Sequence, residues 1–240
     1  SDILAVTGSG NVLGAWVYSG SVYAFRNNAG ATAAVLYKAT TSGWTAVTLY
    51  NEISFTSGSG AATIVDGGTL TQGGVTSTIQ RVIVTSGSLS GGTAAGRMVI
   101  QNPAGGNFAA GAATVGAGTL TLSGVQTAIT FAASGRFEFV NFSFGGASGS
   151  EKMYGCDGVN RGFEFDGTTL VPITTGMTVD KPTHVIAHKN HLFFSFGGSV
   201  QHSGIGTPYI WTVISGASEL ACGDNVSGFL QMPGSAADSA

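Results

Sequence analysis

Residues 183–214 constrain the fold of this chain more than any other stretch. They contain two strand-like runs, 185–188 and 191–196, which are rich in β-branched and aromatic residues and are separated by Lys189 and Asn190. Two such runs joined by two turn-tolerant residues are typical of a β-hairpin. The sequence therefore predicts an antiparallel hairpin with its turn at 189–190.

A similar pattern occurs near the N-terminus. The run 16–25, with its turn at Ser19 and Gly20, repeats the hairpin pattern, and Trp44 and Trp211 follow at equivalent positions. Repeats of roughly 40 residues, each with about four short strands, are typical of β-propeller blades, because one blade cannot bury its faces without neighbours. We therefore take the four-stranded blade as the repeating unit.

These patterns predict an all-β fold. It would be a partial β-propeller of about three four-stranded blades plus the start of a fourth, with an inserted small β domain. The first blade region covers 1–55, the inserted domain 56–133, and further blades, truncated at the C-terminus, 134–240. A closed propeller usually has about four to eight blades. We therefore expect the chain to be a piece of a longer polypeptide, or the rest of the ring to come from elsewhere.

The individual strands follow from runs of β-branched and aromatic residues between turn residues. Four phenylalanines within 137–144 alternate with one slip at 140–141, which predicts a β-bulge. A strand at 3–6 would precede the first blade, and a fourth blade would begin near 228–231. The other blade strands are expected at 14–18, 21–26, 33–38, 44–49, 152–156, 162–165, 169–173, 185–188, 191–196 and 219–222.

Residues 56–133 have a different texture, rich in Gly, Ala, Ser and Thr and almost free of aromatics. The stretch 60–71 recurs as 111–121, and strands are expected at 78–84 and 96–100. An inserted domain fits this pattern, because insertions succeed at exposed connections between elements. A long flexible loop is the alternative, and it would leave a strand-like apolar run with nothing to bury against.

Charged residues make up 9% of the 240 residues, against about 25% in an ordinary soluble domain. Such a surface favours association, which indicates a subunit of an assembly. With Lys+Arg 9, Asp+Glu 12 and a net charge of −3, the chain lacks the basic surface that grips phosphates. Reading of a DNA sequence is therefore not expected, whereas passage of DNA along a weakly binding wall is compatible with this charge.

The two cysteines, Cys156 and Cys222, are too few to cross-link a domain of this size. Two free buried thiols or a single bridge between them are the alternatives. No apolar run is long enough to predict a membrane-spanning helix, and the N-terminus lacks the pattern of a signal peptide.

The histidines are the candidate metal ligands. His188 and His191 flank the predicted turn and would face each other across the hairpin, His184 would share a strand face with His188, and His202 follows. No carboxylate or thiolate lies near them in the sequence, so turn-flanking polar residues are the default interpretation and no metal site is expected. Asp-Gly pairs at 157–158 and 166–167 predict hairpin turns rather than calcium loops, whose terminal Glu is missing.

Catalysis is not expected either. Glu138, Glu151, Glu164 and Glu219 are scattered over different predicted strands and loops, whereas an enzyme needs groups of opposed role brought together. Gly-x-Ser-like matches such as 8–10 lack the strand-to-helix context of a nucleophile elbow. We therefore expect no catalytic residues, no cofactor and no metal.

Three stretches resemble structural proteins of tailed-bacteriophage virions, namely the tail tubular, or nozzle, proteins. They are GCDGVNRGFEFDG at 155–167, HKNHLFFS at 188–195 and SGIGTPYIW at 203–211. TSGSLSGGTAAGR at 85–97 is similar to insertions found in such proteins. Together these stretches cover well under half of the chain.

The resemblance implies a β-propeller subunit that forms a ring, commonly a hexamer, around the DNA channel of the virion tail. Its partners would be copies of itself, neighbouring tail or adaptor proteins, and double-stranded DNA passing during ejection, and it would be assembled in the host cytoplasm. A receptor- or glycan-binding virion protein is the first alternative, favoured if Trp44, Trp211 and Tyr209 are exposed. A propeller glycosidase, which needs two carboxylates within about 10 Å, ranks last.

Overall fold

The computed structural model describes residues 4–146 and 150–231, and almost all regular structure within them is antiparallel β-sheet. Apart from strands, these residues form one three-residue 3-10 turn, Val213–Ser215. The chain divides into two compact units, one made of Ser1–Val47 with Thr130–Ala240 and the other of Thr48–Ile129. The expectation of an all-β protein is confirmed.

The first unit opens with a four-stranded antiparallel meander, here called the N-terminal sheet. Ser19 and Gly20 form the two-residue turn between its first two strands, as the sequence predicts, and both have positive φ. Its strands are β1 (Ser9–Tyr18), β2 (Ser21–Asn27), β3 (Ala33–Thr40) and β4 (Gly43–Ala46).

The second unit contains a six-stranded closed barrel. The order β10-β9-β6-β7-β8-β5 returns to its start because β5 also pairs with β10. Closure removes the free edges that an open sheet would present. The strands are β5 (Asn51–Ser59), β6 (Thr69–Gln72), β7 (Val75–Ser86), β8 (Ala95–Ile100), β9 (Gly111–Val115) and β10 (Gly118–Leu122), and β11 (Thr127–Ala128) pairs with β5.

Buried and exposed side chains alternate along the strands of this barrel, and the buried ones fill it. Leu120 and Leu122 of β10 are buried, while Thr119 and Thr121, which alternate with them, are exposed, so one face of the strand forms the core. Strands β7 and β8 confirm the runs expected at 78–84 and 96–100. The core consists of Ile53, Phe55, Ile64, Leu70, Ile79, Ala94, Met98, Ile100, Phe108, Ala113, Val115, Leu120 and Leu122.

The internal repeat of this unit has two different structures. Its second copy forms β9 and β10, whereas residues 60–64 of the first copy form a turn and Thr69–Gln72 forms β6. Both copies still bury one β-branched residue in the barrel core, Ile64 and Val115. The two copies of the repeat therefore share a buried apolar residue and do not share a strand.

After the barrel the chain returns to the first unit and forms two more four-stranded meanders. The strand β12 (Phe131–Ala132) first pairs with β3. The middle sheet consists of β13 (Glu138–Phe142), β14 (Lys152–Cys156), β15 (Phe163–Phe165) and β16 (Leu170–Pro172), and the C-terminal sheet of β17 (His184–His188), β18 (His191–Phe196), β19 (Ser199–His202) and β20 (Ser218–Ala221).

The middle sheet is packed on both of its faces. On one face, Phe137 stacks on Phe25 of the N-terminal sheet with ring centroids 3.7 Å apart. On the other face, Tyr154 and Cys156 share a core with Val185, Leu192 and Phe194 of the C-terminal sheet. The three sheets therefore follow one another face to face, in chain order, through aromatic cores.

The β-bulge expected at 140–141 is wrong. Residues 138–142 pair with β14 without a register shift. Phe139 and Asn141 face the N-terminal sheet, where Asn141 accepts a hydrogen bond from Trp16, and Phe142 faces the C-terminal sheet. Aromatic side chains lie on both faces of this strand because both faces are buried. The change of face therefore needs no inserted bulge residue.

Two further expectations fail at the ends of the first unit. Residues 4–6 form no strand, although Val6 is buried, and residue 3 lies outside the described residues. Residues 228–231, expected to begin a fourth blade, also form no strand; Phe229 and Leu230 instead lie beside the C-terminal sheet.

The predicted equivalence of the two tryptophans is wrong as well. Trp44 belongs to β4, whereas Trp211 lies in the long connection between β19 and β20. In that connection the indole of Trp211 donates a hydrogen bond to the carbonyl of Pro208, and its ring stacks on Phe194. The fourth strand of the C-terminal sheet therefore starts later, at Ser218.

Candidate interaction surface

The outer face of the C-terminal sheet carries all four histidines of the chain. Cross-strand partners share a face, and the register places His188 opposite His191 and Phe193 opposite His202. His184 lies two pairs further along the same face of β17. The predicted hairpin and the predicted facing of His188 and His191 are both confirmed.

Two of these histidines are fixed by one backbone carbonyl. Nδ1 of His191 lies 2.6 Å and Nδ1 of His202 lies 3.0 Å from the oxygen of Ser203, and the ring centroids are 4.7 Å apart. Ser203 is itself buried, and its hydroxyl accepts a hydrogen bond from the amide of Leu192. The carbonyl of this serine therefore holds both rings at the end of the β19 strand, while its hydroxyl ties the serine to β18.

His184 has a carboxylate partner that its sequence neighbourhood does not contain. Its Nδ1 lies 2.9 Å from Oε2 of Glu138, which belongs to β13 of the middle sheet. The absence of a nearby carboxylate, inferred from sequence spacing, is thus wrong. Over residues 4–146 and 150–231, no three His, Cys, Asp or Glu side chains come together in an arrangement that could hold a metal ion.

An apolar groove of about 430 Å³ runs along this outer face. Ile186, Phe193 and Val200 form its floor on three adjacent strands, and Leu220 of β20, which is 56% exposed, forms one edge. We call this feature the outer groove; its lining is Ile186, His188, Phe193, Val200, Leu220, Phe229, Leu230 and Gln231.

A second apolar feature lies in the connection between β19 and β20. Val213 is 83% exposed and Ile214 is 97% exposed, and both belong to the 3-10 turn. We call this pair the apolar tip. Two adjacent exposed aliphatic side chains form a small apolar patch that a partner surface can cover, and loops that carry such contacts are commonly held by a rigid scaffold.

The connection that carries the apolar tip is well braced. Trp211, two residues before the tip, stacks on Phe194 with ring centroids 5.4 Å apart and planes 8° apart. The amide of Ala217 donates to the carbonyl of Thr212, and Gly216 closes the turn with φ of 81°. A left-handed residue of this kind is where glycine is favoured. The backbone thus presents the tip in a defined position.

The aromatic residues proposed for sugar stacking are half-buried rather than fully exposed. Trp44 packs against the cluster of Val6, Ala24 and Tyr37, and Trp211 and Tyr209 pack against the core around Phe194. Their rings contribute to the internal packing of the first unit.

Of the four glutamates named from the sequence, three make separate side-chain contacts and Glu151 is exposed. Oε1 of buried Glu164 lies 2.7 Å from Nζ of Lys152, and its Oε2 accepts a hydrogen bond from the hydroxyl of Tyr154 at 2.8 Å. Oε1 of Glu219 accepts a hydrogen bond from the Ser199 hydroxyl at 2.6 Å. In these contacts the carboxylates stabilise neighbouring strands.

The two acidic turns behave as the sequence predicts. The carboxylate of Asp157 accepts hydrogen bonds from the amides of Val159 and Asn160, and that of Asp166 accepts from the amides of the two residues that follow Gly167. A side chain that caps its own turn in this way favours a tight reversal of the chain.

Both cysteines are free thiols, so the alternative of a bridge between them is wrong. Cys156 is buried, and desolvation together with the carboxylates of Glu138 and Asp157 raises the pKa of its thiol well above the ordinary value. Cys222 is exposed, contrary to the expectation that both are buried. Cys222 is exposed because it follows β20, an edge strand whose residues are themselves exposed.

Comparison of the chain with protein-family models, with curated proteins and with solved structures found no match in any of the three. Within the described ranges, none of the helical structure is long and apolar enough to cross a membrane.

Proposed function

We propose that this chain is a structural subunit of a tailed-bacteriophage tail, of the tail-tube or nozzle type, which assembles with copies of itself into a ring around the DNA channel. The observation that carries the proposal is the succession of three four-stranded meanders, packed face to face, whose last member has an apolar groove on its outer face. Such a face is completed by association with another protein surface.

A partial β-propeller is the finer fold that we propose for the first unit. Propeller blades are four-stranded meanders that pack face to face in chain order, and the N-terminal, middle and C-terminal sheets follow this order. The barrel of Thr48–Ile129 would be the inserted domain and would supply a lateral or distal contact in the particle.

The charge of the chain supports a role as a conduit wall. Charged residues amount to 9%, and the net charge is −3. Strong binding of DNA depends on lysine and arginine side chains that neutralise phosphates. A weakly negative wall would let double-stranded DNA pass during ejection without sequence-specific binding, and low surface charge favours permanent contacts with tail and adaptor proteins.

The proposal gives the chain no catalytic role, no cofactor and no metal. Its place would be the virion tail, after assembly in the host cytoplasm. Glu138, Glu164 and Glu219 stabilise strands through the contacts described above, which supports a structural role for these carboxylates. The glycan-binding alternative has less support, because Trp44, Trp211 and Tyr209 pack against internal clusters.

Electron microscopy of the purified chain tests the proposal. We expect rings of several copies, with a hexamer as the proposed form and an open centre wide enough for duplex DNA. A gel-shift assay at physiological salt should show weak binding of duplex DNA that does not depend on its sequence. Tight binding to one DNA sequence, or particles without a central opening, would contradict the conduit role.

A further inference from the structure

We propose that the apolar tip of one copy inserts into the outer groove of a second copy. The inference rests on the proposed function, because it names the partner and the contact through which the copies associate. Its two halves are the exposed pair Val213 and Ile214 and the groove on the outer face of the C-terminal sheet.

The tip has the chemistry and the rigidity of an interface anchor. Its two aliphatic side chains are 83% and 97% exposed, and Thr212 and Ser215 on either side are uncharged. The stacking of Trp211 on Phe194 and the closing turn at Gly216 hold the backbone before any partner binds. A preorganised apolar side chain loses little conformational entropy on binding, so it contributes strongly to affinity.

The groove has matching chemistry. No Lys, Arg, Asp or Glu is among its eight lining residues, and the polar ones are His188 and Gln231. Its floor of Ile186, Phe193 and Val200 would favour an uncharged aliphatic partner and oppose a charged one. At about 430 Å³ it has room for the two side chains of the tip.

A second copy is the occupant that the chain itself specifies. The tip lies in the connection between β19 and β20, and the groove lies on the outer face of the same sheet. In the proposed ring the contact is heterologous: each copy uses its tip on one neighbour and its groove on the other. Contacts of this kind produce a closed ring when the rotation between neighbours closes, and an open filament when it does not. The weak net charge of −3 adds little repulsion between copies.

Size-exclusion chromatography with light scattering on the full chain tests the contact. Ile214→Asp places a charge on the tip, and Leu230→Asp places one at the groove in a residue that is 84% exposed and outside the strands, so neither should disturb folding. Each variant should need at least a tenfold higher protein concentration to assemble than the wild type. Val179→Asp, at another exposed apolar position, is the matched control and should assemble normally. Circular dichroism checks that all three are folded.

Mixing the two defective variants gives the sharper result. Ile214→Asp keeps an intact groove and Leu230→Asp keeps an intact tip, so an equimolar mixture should form a one-to-one dimer that cannot grow further. Assembly of both variants at the wild-type concentration would overturn the tip-in-groove contact and leave the proposed ring to form through another surface. A wild-type chain that stays monomeric at every concentration would overturn both the contact and the proposed ring. Failure of the mixture to dimerise would overturn the heterologous contact even if each variant is monomeric.

Discussion

Backbone conformation at single residues fixes the hairpins of the first unit. Lys189 and Asn190 have φ of 45° and 62°, and Ser19 and Gly20 have φ of 45° and 71°, so both two-residue turns use the left-handed region twice. This geometry matches the right-handed twist of the flanking strands, and Asn and Gly tolerate it best. The sequence predicted both turns because their short polar or flexible residues interrupt two apolar runs.

Asn190 provides a residue-scale prediction. Asn190→Val should lower the free energy of unfolding by about 1–2 kcal/mol, because a β-branched side chain collides with the backbone when φ is positive. Asn190→Gly is the matched control and should stay within about 0.5 kcal/mol of the wild type, since glycine adopts this conformation freely. Urea denaturation measures both. Equal stability of the two variants would contradict the turn geometry.

Cys156 provides a second prediction, in which pH is varied. Burial raises the pKa of its thiol above the ordinary value of 9.0, so the folded state keeps the proton after the unfolded state has lost it. The buried neutral thiol therefore makes its full contribution to the free energy of unfolding below pH 9. As the pH rises above 9, that free energy falls by up to about 1.4 kcal/mol per pH unit.

The comparison of Cys156→Ala with the wild type isolates this contribution. Tyr18, whose pKa is raised by burial and by the carboxylates of Asp166 and Glu151, is present in both proteins and cancels. Between pH 8.5 and 10.5 the wild type should lose stability more steeply than the variant. Cys222→Ala, at the exposed cysteine, is the matched control for removal of a thiol. Identical slopes for Cys156→Ala and the wild type would show that the thiol does not titrate as expected.

At the scale of elements, strands were predictable where their local pattern was sufficient. The range 152–156 matches β14 because apolar residues lie between clear turn residues. Strand β13 was misread because the alternation rule assumes one solvated face, whereas Phe139 and Phe142 each face a buried core. The contact between His184 and Glu138 could not be predicted from the sequence, because it depends on how two sheets pack and not on the spacing of neighbouring residues.

The aromatic core between the N-terminal and middle sheets provides the element-scale prediction. Phe25 is fully buried and stacks on Phe137, so Phe25→Ala should lower the free energy of unfolding by about 3–5 kcal/mol. Val17→Ala, on the neighbouring strand at a side chain that is 59% exposed, should change it by less than about 1 kcal/mol. Chemical denaturation followed by fluorescence measures both. Similar losses in the two variants would contradict the packing of these sheets.

At the scale of the whole molecule, the barrel was the part least accessible to sequence reasoning. Its texture indicated short strands, but the closure depends on β5 pairing with β10, which begins 59 residues after β5 ends at Ser59. The alternation of apolar and polar residues in the preceding sheet continues through 51–59. The sequence therefore predicts the start of the inserted domain at 56, where the composition changes. The structure places all of β5 in the barrel. The apolar tip was also missed, because exposure of Val213 and Ile214 depends on where the preceding tryptophan packs.

We propose that the chain is built to assemble with itself. The low charge, the outer groove and the apolar tip all contribute to that claim, and each would be a liability in a protein that stays monomeric. Native mass spectrometry of the purified chain over a range of concentrations tests it most directly. We predict one discrete multiple of the single-chain mass, which persists on dilution because the ring is closed. A single-chain mass at every concentration would contradict the account.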